Sequence, residues 1–474
     1  MQCQQELKPL KNNGMHRQIK YTYYFLVYVL FISCEKVHTP NNSMNFPSKE
    51  YVLNETGGIY STDILVSDFE DSQNCKDCHM NHYDEWVQSM HSYSMRDPVF
   101  FSGWKKVQNS EHFPNTGERF CIQCHSPAAF LSGKDLSSYS SIEEFNGAGL
   151  EKSIMDGVSC DVCHTMTSLS ETVHSGNEIV ASAVYHMYPG EGIKYGSIEE
   201  PESNSYHSSE YNPIFNRSEF CLPCHDLTMR GIEAEITFTE WNRIPSLAMS
   251  GALSCQECHM PVKSDGNHDH SFVGVDLDLS YSIGSSPLHD SVQEMLESAA
   301  SLKFGYLINT LPDSINAGDS LVIPITVTSR TAHSLPSGTS FSREAWVEII
   351  IMDESENIIY ESGVVENTED LNLLDSNLLL FTTTLLDEND EEVNTITKTH
   401  GMINNSLPAF QSRYHAYSFK LNNEITGSLS VRVRMLFRAF KPYLLAEDHS
   451  DLLQNLPIFE ITSIRDTVHI HSSQ

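Results

Sequence analysis

The C-terminal part of the chain shows the clearest hydrophobic pattern. From about residue 293, β-branched and apolar residues alternate with polar ones or form short runs, and turn signals such as AGD and NNE separate them. Four such segments are SLVIPITVTS, AWVEIIIMD, HAYSFKLN and SLSVRVRMLFRAF. Because strand-length segments between turns are typical of β-sandwiches, we predict an all-β, sandwich-like domain of about seven strands at residues 293–474.

Residues 71–292 contain few long periodic segments. Tyr83, Trp86, Val87 and Met90 recur at helical spacing, which predicts a helix with His91 near its end. Loops rich in Ser, Asn, Gly and Pro fill much of the rest. We therefore predict a mainly α-helical and coil domain at residues 71–292, preceded by a polar tether at residues 35–70.

The N-terminal residues 1–34 have the pattern of an export signal. A short basic segment, MHRQIK, precedes the mostly apolar YTYYFLVYVLFIS and then Cys34. The apolar run is short for a membrane-spanning helix, so we expect a signal peptide and an otherwise water-soluble chain. The sequence FISC resembles the lipobox of bacterial lipoproteins, although Phe31 stands where Leu is usual. That resemblance implies lipidation of Cys34; an ordinary signal peptide cleaved nearby is the alternative.

Length and charge limit the possible partners. The chain has 474 residues with 40% hydrophobic content, which favours two folded domains over one. There are 29 Lys and Arg against 63 Asp and Glu, for a formal net charge of -34. A protein this acidic repels phosphate backbones and anionic lipids, so nucleic acid is not an expected partner. Basic proteins and small cations remain compatible with the charge.

Ten of the 12 cysteines lie in a repeated Cys-x-x-Cys-His motif. The five copies are CKDCH, CIQCH, CDVCH, CLPCH and CQECH, and random placement would give such a motif far less than once. The cysteines are Cys75, Cys78, Cys121, Cys124, Cys160, Cys163, Cys221, Cys224, Cys255 and Cys258. The adjoining histidines are His79, His125, His164, His225 and His259.

This spacing suits covalent haem attachment. Two thiols three positions apart can add to the two vinyl groups of one haem, and the next histidine can then bind the iron. A half zinc site or a redox dithiol also uses paired cysteines, but neither requires a histidine after the pair five times over. Disulfide staples are disfavoured because only Cys3 and Cys34 lie outside the motifs. We therefore predict five covalently attached c-type haems.

The chain also resembles a known superfamily of exported multihaem c-type cytochromes. The matching phrases include CKDCHMNHYDEWVQSMHSYS, DGVSCDVCH, EFCLPCHD, TEWN, SCQECHMP, HSFVG and AHSLPSG, and they span residues 75–338. The superfamily contains ammonia-forming nitrite reductase, hydroxylamine oxidoreductase and the tetrahaem cytochrome of ammonia oxidation. The resemblance implies a multihaem fold without selecting one of these activities. Export and haem attachment outside the cytoplasm agree with the N-terminal signal.

An iron that only carries electrons is usually six-coordinate, so five haems require five further ligands. His91 is the first candidate by pattern, and the helical distance from His79, about 18 Å, places it on a different haem.

Three more distal ligands are implied by the resemblance: His207 after KYGS, His270 in HSFVG, and His333 in AHSLPSG. In that last phrase Ala332 and Ser337 replace the family's Gly and Thr. The fifth ligand stays open among His112, His174 and His186, with His82, His268 and His289 as weaker options.

These observations favour an electron carrier. Five haems between Cys75 and His259 would be close neighbours, and an acidic body with bis-histidine ligation predicts low reduction potentials. We expect transfer between other redox proteins or cytochromes of the periplasm or cell surface, with the protein anchored by lipid to the outer membrane. The alternative is an oxidoreductase with one open iron that acts on a small nitrogen or sulfur compound. No motif replaces its histidine by lysine, the mark of the ammonia-forming nitrite reductases. A haem-bearing sensor or scaffold is a third, less supported hypothesis.

Overall fold

A computed structural model of the chain describes residues 49–52, 64–108, 121–169, 183–187, 192–229, 231–250, 253–306 and 310–471. The predicted signal peptide, Cys34, His112 and His174 lie outside the described residues. Within these ranges, no helix combines the length and the apolar character that crossing a membrane requires.

The region that carries the motifs is built from short helices joined by turns. Its α-helices are Ser72–Lys76, Met80–Trp86, Met90–Tyr93, Pro98–Gln108, Ile122–His125, Pro127–Leu131, Ile142–Gly147, Lys152–Met155, Cys160–His164, Thr237–Asn242, Pro245–Ser250 and Cys255–His259. Single 3-10 turns occur at Val66–Asp68, Pro213–Asn216 and Ser218–Phe220. Most of these helices span fewer than three turns, so tertiary packing must stabilise them.

This region also contains short strands that the helix-and-coil prediction did not include. They are β1 (Lys49–Val52), β2 (Met166–Leu169), β3 (Ala183–Met187), β4 (Ile193–Gly196), β5 (Ser208–Tyr211), β6 (Leu227–Met229) and β7 (Ile232–Glu235). β3 pairs with both β1 and β2, β4 pairs in parallel with β5, and β6 pairs with β7. Runs of three to five residues are too short to show a strand period in sequence.

Part of the predicted tether belongs to the folded body. Residues 49–52 form β1, and Ile64 and Phe69 are buried in a hydrophobic cluster with Met95, Trp104 and other side chains. The prediction of a tether at residues 35–70 is therefore wrong for these residues. The apolar residues of this segment are few and widely spaced, so they produce no periodic pattern in the sequence. Ile64 and Phe69 nevertheless each fill a site in the core.

The helix predicted to carry His91 is two helices. Met80–Trp86 buries Tyr83 and Trp86, and a second helix, Met90–Tyr93, begins after Ser89, whose side chain accepts a hydrogen bond from the backbone of Ser92. Val87 lies between them and is 39% exposed, so it does not continue the apolar face. An N-capping serine starts a new helix, which the apolar spacing alone does not reveal.

The C-terminal part is dominated by strands. They are β8 (Ala300–Phe304), β9 (Ser314–Asn316), β10 (Ser320–Ser329), β11 (Glu344–Met352), β12 (Ile358–Ser362), β13 (Leu379–Phe381), β14 (Thr383–Leu386), β15 (Glu392–Val393), β16 (Gly401–Asn404), β17 (Ser412–Lys420), β18 (Gly427–Arg438) and β19 (Phe459–His471). One sheet has the order β17-β10-β8, and a larger one has the order β12-β11-β18-β19-β9 with β13 beside β11. A third small sheet has the order β15-β14-β16.

Side chains from the two main sheets meet in one hydrophobic core. Alternate residues of β10, such as Ile323 and Ile325, are fully buried together with Ile349 of β11 and Val431 of β18. This is the consequence of the period of two in a strand, which places every second side chain on the same face. The part is not wholly β, because the helices His289–Ala299 and Pro442–Ala446 also lie in it.

The predicted boundary at residues 292 and 293 falls inside a helix. His289–Ala299 passes through it, and its residues Val292, Leu296 and Ala299 join the core of the C-terminal part. Leu277 and Leu288 belong to the same core. Residues 48–474 form a single compact unit, so the change of composition near residue 293 does not mark a flexible linker.

A buried ion pair should be critical for the C-terminal core. Arg438 is 0% exposed, its guanidinium bonds Glu344, and it donates to the carbonyl of Glu369 at 2.8 Å. We expect Arg438→Ala to lower the free energy of unfolding by about 3–5 kcal/mol, because it leaves the Glu344 carboxylate buried without a partner. Calorimetric melting checks this. Arg465→Ala, at an exposed position of β19, is the control and should change stability by less than about 0.5 kcal/mol; equal shifts would contradict the prediction.

Candidate functional site

Each Cys-x-x-Cys-His motif folds as a single helical turn. In the first, second and fourth motifs the histidine N–H donates to the carbonyl of the first cysteine at 2.8, 3.2 and 3.0 Å. The third and fifth motifs are the helices Cys160–His164 and Cys255–His259. Residues i, i+3 and i+4 of a helix share one face, so each turn directs two thiols and one imidazole to the same side.

Side-chain caps fix where two of these turns begin. Ser159 accepts a hydrogen bond from the backbone N–H of Val162, and Ser254 accepts one from that of Glu257. Glu257 in turn accepts from the Ser254 N–H at 2.7 Å, which completes a capping box. The residues around the cysteines therefore hold the motif in its helical turn.

Gly157 allows the second and third motifs to approach closely. Its φ is +64°, and a Cβ there would lie 2.7 Å from the carbonyl oxygen of His91 and 3.3 Å from that of His125. The next residue, Val158, donates its N–H to the His91 carbonyl at 3.0 Å. Glycine has no Cβ, so it can adopt this positive φ and lie this close to the two carbonyl oxygens. Gly157 thus allows the segment that carries His91 to pack against both motifs.

Backbone carbonyls set the tautomer of most candidate ligands. Nδ1 lies 3.0 Å from Ser94 O in His125, 2.7 Å from Tyr195 O in His164 and 2.7 Å from Val273 O in His259. The same bond occurs in His207, His270 and His333, at 3.1, 2.9 and 2.9 Å to the carbonyls of Ser208, His268 and Ser334. A carbonyl can only accept, so Nδ1 carries the proton and Nε2 keeps its lone pair for a metal.

Burial lowers the pKa of several candidate ligands. Desolvation lowers the pKa of His91 and of His270 to about 3, and the pKa of His125 and of His259 to about 4. The pKa of His164 is lowered for the same reason. Neutral imidazole is the form that binds a metal, so the site is ready for ligation at neutral pH.

The fold brings eight histidines together in four pairs. The ring centroids are 6.2 Å apart for His79 and His207, and 6.3 Å for His91 and His225. They are 6.4 Å apart both for His164 and His270 and for His259 and His333. Each pair joins one motif histidine to one of the four distal candidates.

This separation fits a metal between the two rings. Two imidazoles that bind one metal at about 2.0 Å each place their ring centroids about 6.3 Å apart. Direct stacking of two rings would bring the centroids much closer. The four histidine pairs could therefore hold the irons of four haems, and the cysteine pairs of those motifs would supply the thiols for covalent attachment.

His125 has no such partner among the described histidines. Phe100 stacks on its ring instead, with centroids 3.6 Å apart and planes 8° apart. Of the other described candidates, His82 lies edge-on 4.6 Å from His270, His268 donates to the carbonyl of Met260, and His289 packs against Phe459. His186 lies in β3, opposite Glu50 of β1.

Glu85 and Lys263 hold the segment that carries His270, and sequence reasoning missed both. Glu85 accepts the backbone N–H of His270 at 3.0 Å and bonds the Lys263 ammonium at 2.5 Å. The two glutamate oxygens thus connect the helix after the first motif to the loop after the fifth. Nothing in the sequence indicates this, because the partners are 178 and 185 positions apart.

Phe272 lies between two of the pairs in a strained conformation. Its φ is +46°, and its ring is 4.4 Å from that of His91 and 5.7 Å from that of His270. Such a backbone angle costs a non-glycine residue about 1–3 kcal/mol and persists where the surroundings enforce it. The ring separates neighbouring candidate ligands and limits their movement.

Glu240 anchors the loop that brings His333 in from the C-terminal part. Its carboxylate accepts the Ser334 N–H at 3.0 Å and the Ser337 hydroxyl at 2.6 Å. Ser337 also bonds the hydroxyl of Thr237 at 2.9 Å. Serine at position 337 keeps the hydroxyl that threonine would supply. The phrase TEWN, which contains Glu240, is part of the family resemblance in the sequence. It does not indicate that Glu240 binds the loop.

Thiols of different motifs are in contact. Cys75 lies within hydrogen-bonding contact of Cys160, Cys124 of Cys224, and Cys221 of Cys255. The hydrogen bond with the Cys224 thiol, together with burial, raises the pKa of Cys124. In the described residues no group of three His, Cys, Asp or Glu side chains forms a separate metal-ion site. The contacts place the fourth motif next to both the second and the fifth.

Comparisons with known proteins agree with these features. The family model described as cytochrome c554 and c-prime matches residues 74–165, which contain the first three motifs. The structure is similar to a penta-heme cytochrome c552 from Thermochromatium tepidum, with 18% identity, a TM-score of 0.60, and coverage of 85% of this chain and 99% of that chain. This similarity shows a shared fold. The motifs, the family model and the fold together support a multihaem c-type cytochrome.

Other comparisons add little. The C-terminal domain of wzt matches with 9% identity and a TM-score of 0.20, covering 37% of this chain and 76% of that chain. A TM-score that low does not establish a shared fold. No curated protein sequence matches this chain significantly.

The role of Glu240 can be measured directly. We expect Glu240→Ala to speed hydrogen exchange at the Ser334 amide by at least about ten-fold, because a bond to a charged acceptor is lost. Exchange mass spectrometry of peptides covering residues 333–337 measures it. Glu240→Gln keeps an acceptor oxygen, so its exchange rate at the Ser334 amide should lie between those of the wild type and Glu240→Ala. Glu233→Ala, which removes an exposed bond to Arg243, is the control; unchanged exchange in Glu240→Ala would show that the loop is held by other contacts.

Proposed function

We propose that this protein transfers electrons through five covalently bound c-type haems, four of them ligated by two histidines. The observation that supports this most is the set of four imidazole pairs with centroids 6.2–6.4 Å apart. Two protein ligands on one iron leave no position for a substrate, which favours electron exchange over catalysis at those four centres.

The roles of the residues follow from their positions. Cys75 with Cys78, and the equivalent pairs of the other motifs, would form the thioether bonds, and the five motif histidines would be the proximal ligands. His207, His270, His91 and His333 would be the distal ligands for the first, third, fourth and fifth motifs. Bound haem supplies a one-electron ferric/ferrous couple. The backbone carbonyls at Nδ1 keep each imidazole oriented, so little reorganisation accompanies a change of iron charge.

The thiol contacts support a connected arrangement of the five centres. Thiols become attached at the porphyrin edge, so contacts between the first and third, second and fourth, and fourth and fifth motifs bring those edges close. The thiols of Cys163 and Cys224 also interact electrostatically. The fourth motif would then be the centre of the network, with neighbours on three sides.

The cellular setting is part of the same proposal. Cytochrome c assembly requires export, which the N-terminal signal would provide, and lipidation of Cys34 would anchor the protein at the outer membrane, in the periplasm or on the cell surface. Other cytochromes or redox proteins would be its partners. The acidic composition argues against nucleic acid as a partner. The C-terminal strands would form a sandwich-like domain fixed to the haem region through His333.

A second candidate function is supported by His125. Phe100 stacks on its ring, and among the described residues no histidine pairs with it. This is compatible with an iron at the second motif that binds a substrate. An oxidoreductase acting on a small nitrogen or sulfur compound would use such a centre. The protein would then combine one reactive iron with four electron-transfer centres.

Substitution of His91 tests the main proposal. We expect His91→Ala to convert one low-spin haem to a high-spin or water-bound state, because the fourth motif loses its distal ligand, while mass spectrometry still finds five haems. Electron paramagnetic resonance of the purified protein counts the spin states. His289→Ala, at a histidine packed on Phe459 and away from the pairs, is the control. A spectrum unchanged by His91→Ala would reject this ligand assignment.

The two functions differ in spin state and ligand binding. Electron transfer alone predicts five low-spin haems and no carbon monoxide binding by the reduced protein. An open second centre predicts one high-spin haem and one carbon monoxide bound per chain, seen as a shifted Soret band. Five low-spin haems without carbon monoxide binding would reject catalysis at an iron, whereas one high-spin haem that binds carbon monoxide would favour the oxidoreductase.

A further inference from the structure

The first motif lies beside an exposed loop that holds its candidate distal ligand. Residues 197–207 join β4 to β5, and Asn204 accepts the backbone N–H groups of Tyr206 at 2.7 Å and His207 at 3.1 Å. Ser203 accepts the backbone N–H of Ser209 at 3.1 Å. These bonds fix the loop where His207 faces His79, so its outer surface lies next to the first motif.

Large apolar side chains are exposed on both sides of this pair. Met80 follows His79 and is 55% exposed, and Tyr206 precedes His207 and is 73% exposed. Ile198, in the same loop, is 63% exposed. Grouped exposed apolar side chains with a polar rim are a mark of protein interaction sites.

The rim of this surface is negatively charged. Segment 197–211 contains Glu199, Glu200, Glu202 and Glu210 and no lysine or arginine. On the side of the motif, Asp77 is exposed, and Lys76 is paired with Asp84 at 2.9 Å. We call the surface formed by Asp77, Met80, Ile198, Glu199, Glu200, Glu202 and Tyr206 the acidic face.

We propose that the acidic face is the docking surface for a positively charged redox protein, which exchanges electrons with this protein at the first motif. The inference rests on the proposed electron-transfer function. In each encounter one electron moves: the first centre is oxidised from ferrous to ferric and the partner's centre is reduced, or the reverse, with no atoms transferred. Negative charge around an apolar centre selects a basic partner and repels acidic ones.

The size of the surface suits a transient complex. Redox proteins bind each other through small interfaces, below about 1,200 Å² in total, and depend on charge to speed their encounter. Three exposed apolar side chains can exclude water at the contact while the glutamates steer the partner. The loop bonds described above keep the surface ordered before binding, which reduces the entropy lost on association.

Stopped-flow kinetics on the full mature holoprotein tests the proposal. The reduced protein is mixed with a ferric, lysine-rich small cytochrome c as the basic probe, at ionic strengths from about 10 to 500 mM. We expect the second-order rate constant to fall at least about ten-fold across this range, because salt screens the attraction. An increase, or no dependence, would overturn the proposal.

Charge reversal locates the surface. We expect the triple variant Glu199→Lys, Glu200→Lys and Glu202→Lys to lose at least about ten-fold in rate at low ionic strength. The control is Glu361→Lys, Glu388→Lys and Glu424→Lys, which makes the same change in formal charge at exposed positions of the C-terminal part. It should lose less than about three-fold. Equal losses would show that net charge alone matters and that the acidic face is not the docking surface.

Cross-linking gives a readout independent of rate. A carbodiimide joins carboxylates to probe lysines in contact, and trypsin should release the linked segment between Lys194 and Arg217. Cross-links found only elsewhere would overturn the assignment.

Titration with dithionite distinguishes a failure of the proposed electron-transfer function from a failure of the docking surface. A protein that cannot be reduced refutes the electron-transfer function, whereas a fully reducible protein with equal losses in both triple variants refutes only the docking surface.

Discussion

The separation of the paired imidazoles is the constraint on which the rest of this structure depends. Metal–nitrogen bonds have nearly fixed lengths, so two ligand rings must be held about 6.3 Å apart. Four pairs from distant parts of the chain meet this requirement within about 0.1 Å. Short capped helices, the turn at Gly157 and the carboxylates of Glu85 and Glu240 all contribute to these positions. The region that carries the motifs has many short helices and strands because they must position the paired histidines as well as pack apolar side chains.

The same constraint explains why the C-terminal strands are part of the working protein. His333 lies in the loop between β10 and β11, and the Glu240 bonds to Ser334 and Ser337 hold this loop against the helix Thr237–Asn242. A strand-rich core supplies a rigid base, since its central residues such as Ile325 and Ile349 are fully buried. The loop that carries His333 begins and ends at strands of this core. The arrangement therefore ties the stability of the C-terminal part to the environment of the fifth motif.

Charge has two different roles in this molecule. Inside, burial lowers the pKa of His91 and of His270 to about 3, which keeps both imidazoles neutral. Over the whole chain, 63 Asp and Glu outnumber 29 Lys and Arg, and a net negative charge repels anions. The acidic face lies next to an imidazole pair at His79 and His207, because the loop that carries His207 also carries the exposed glutamates. His125, with Phe100 stacked on it, is the motif histidine that pairs with no other histidine among the described residues.

The sequence by itself determined the five attachment motifs, since the chemistry that binds two thiols and one imidazole to a haem acts within a single helical turn. It also indicated the strand-rich C-terminal part, because a period of two over long strands such as β10 and β18 is visible without knowing their partners. Tertiary structure decided which histidines face each other, where the helix before His91 breaks, and that Ile64 and Phe69 belong to the core. It also revealed Glu85 and Glu240, whose contacts join residues far apart in the chain. Local spacing records local geometry, whereas a distance between remote segments is fixed only when the chain has packed.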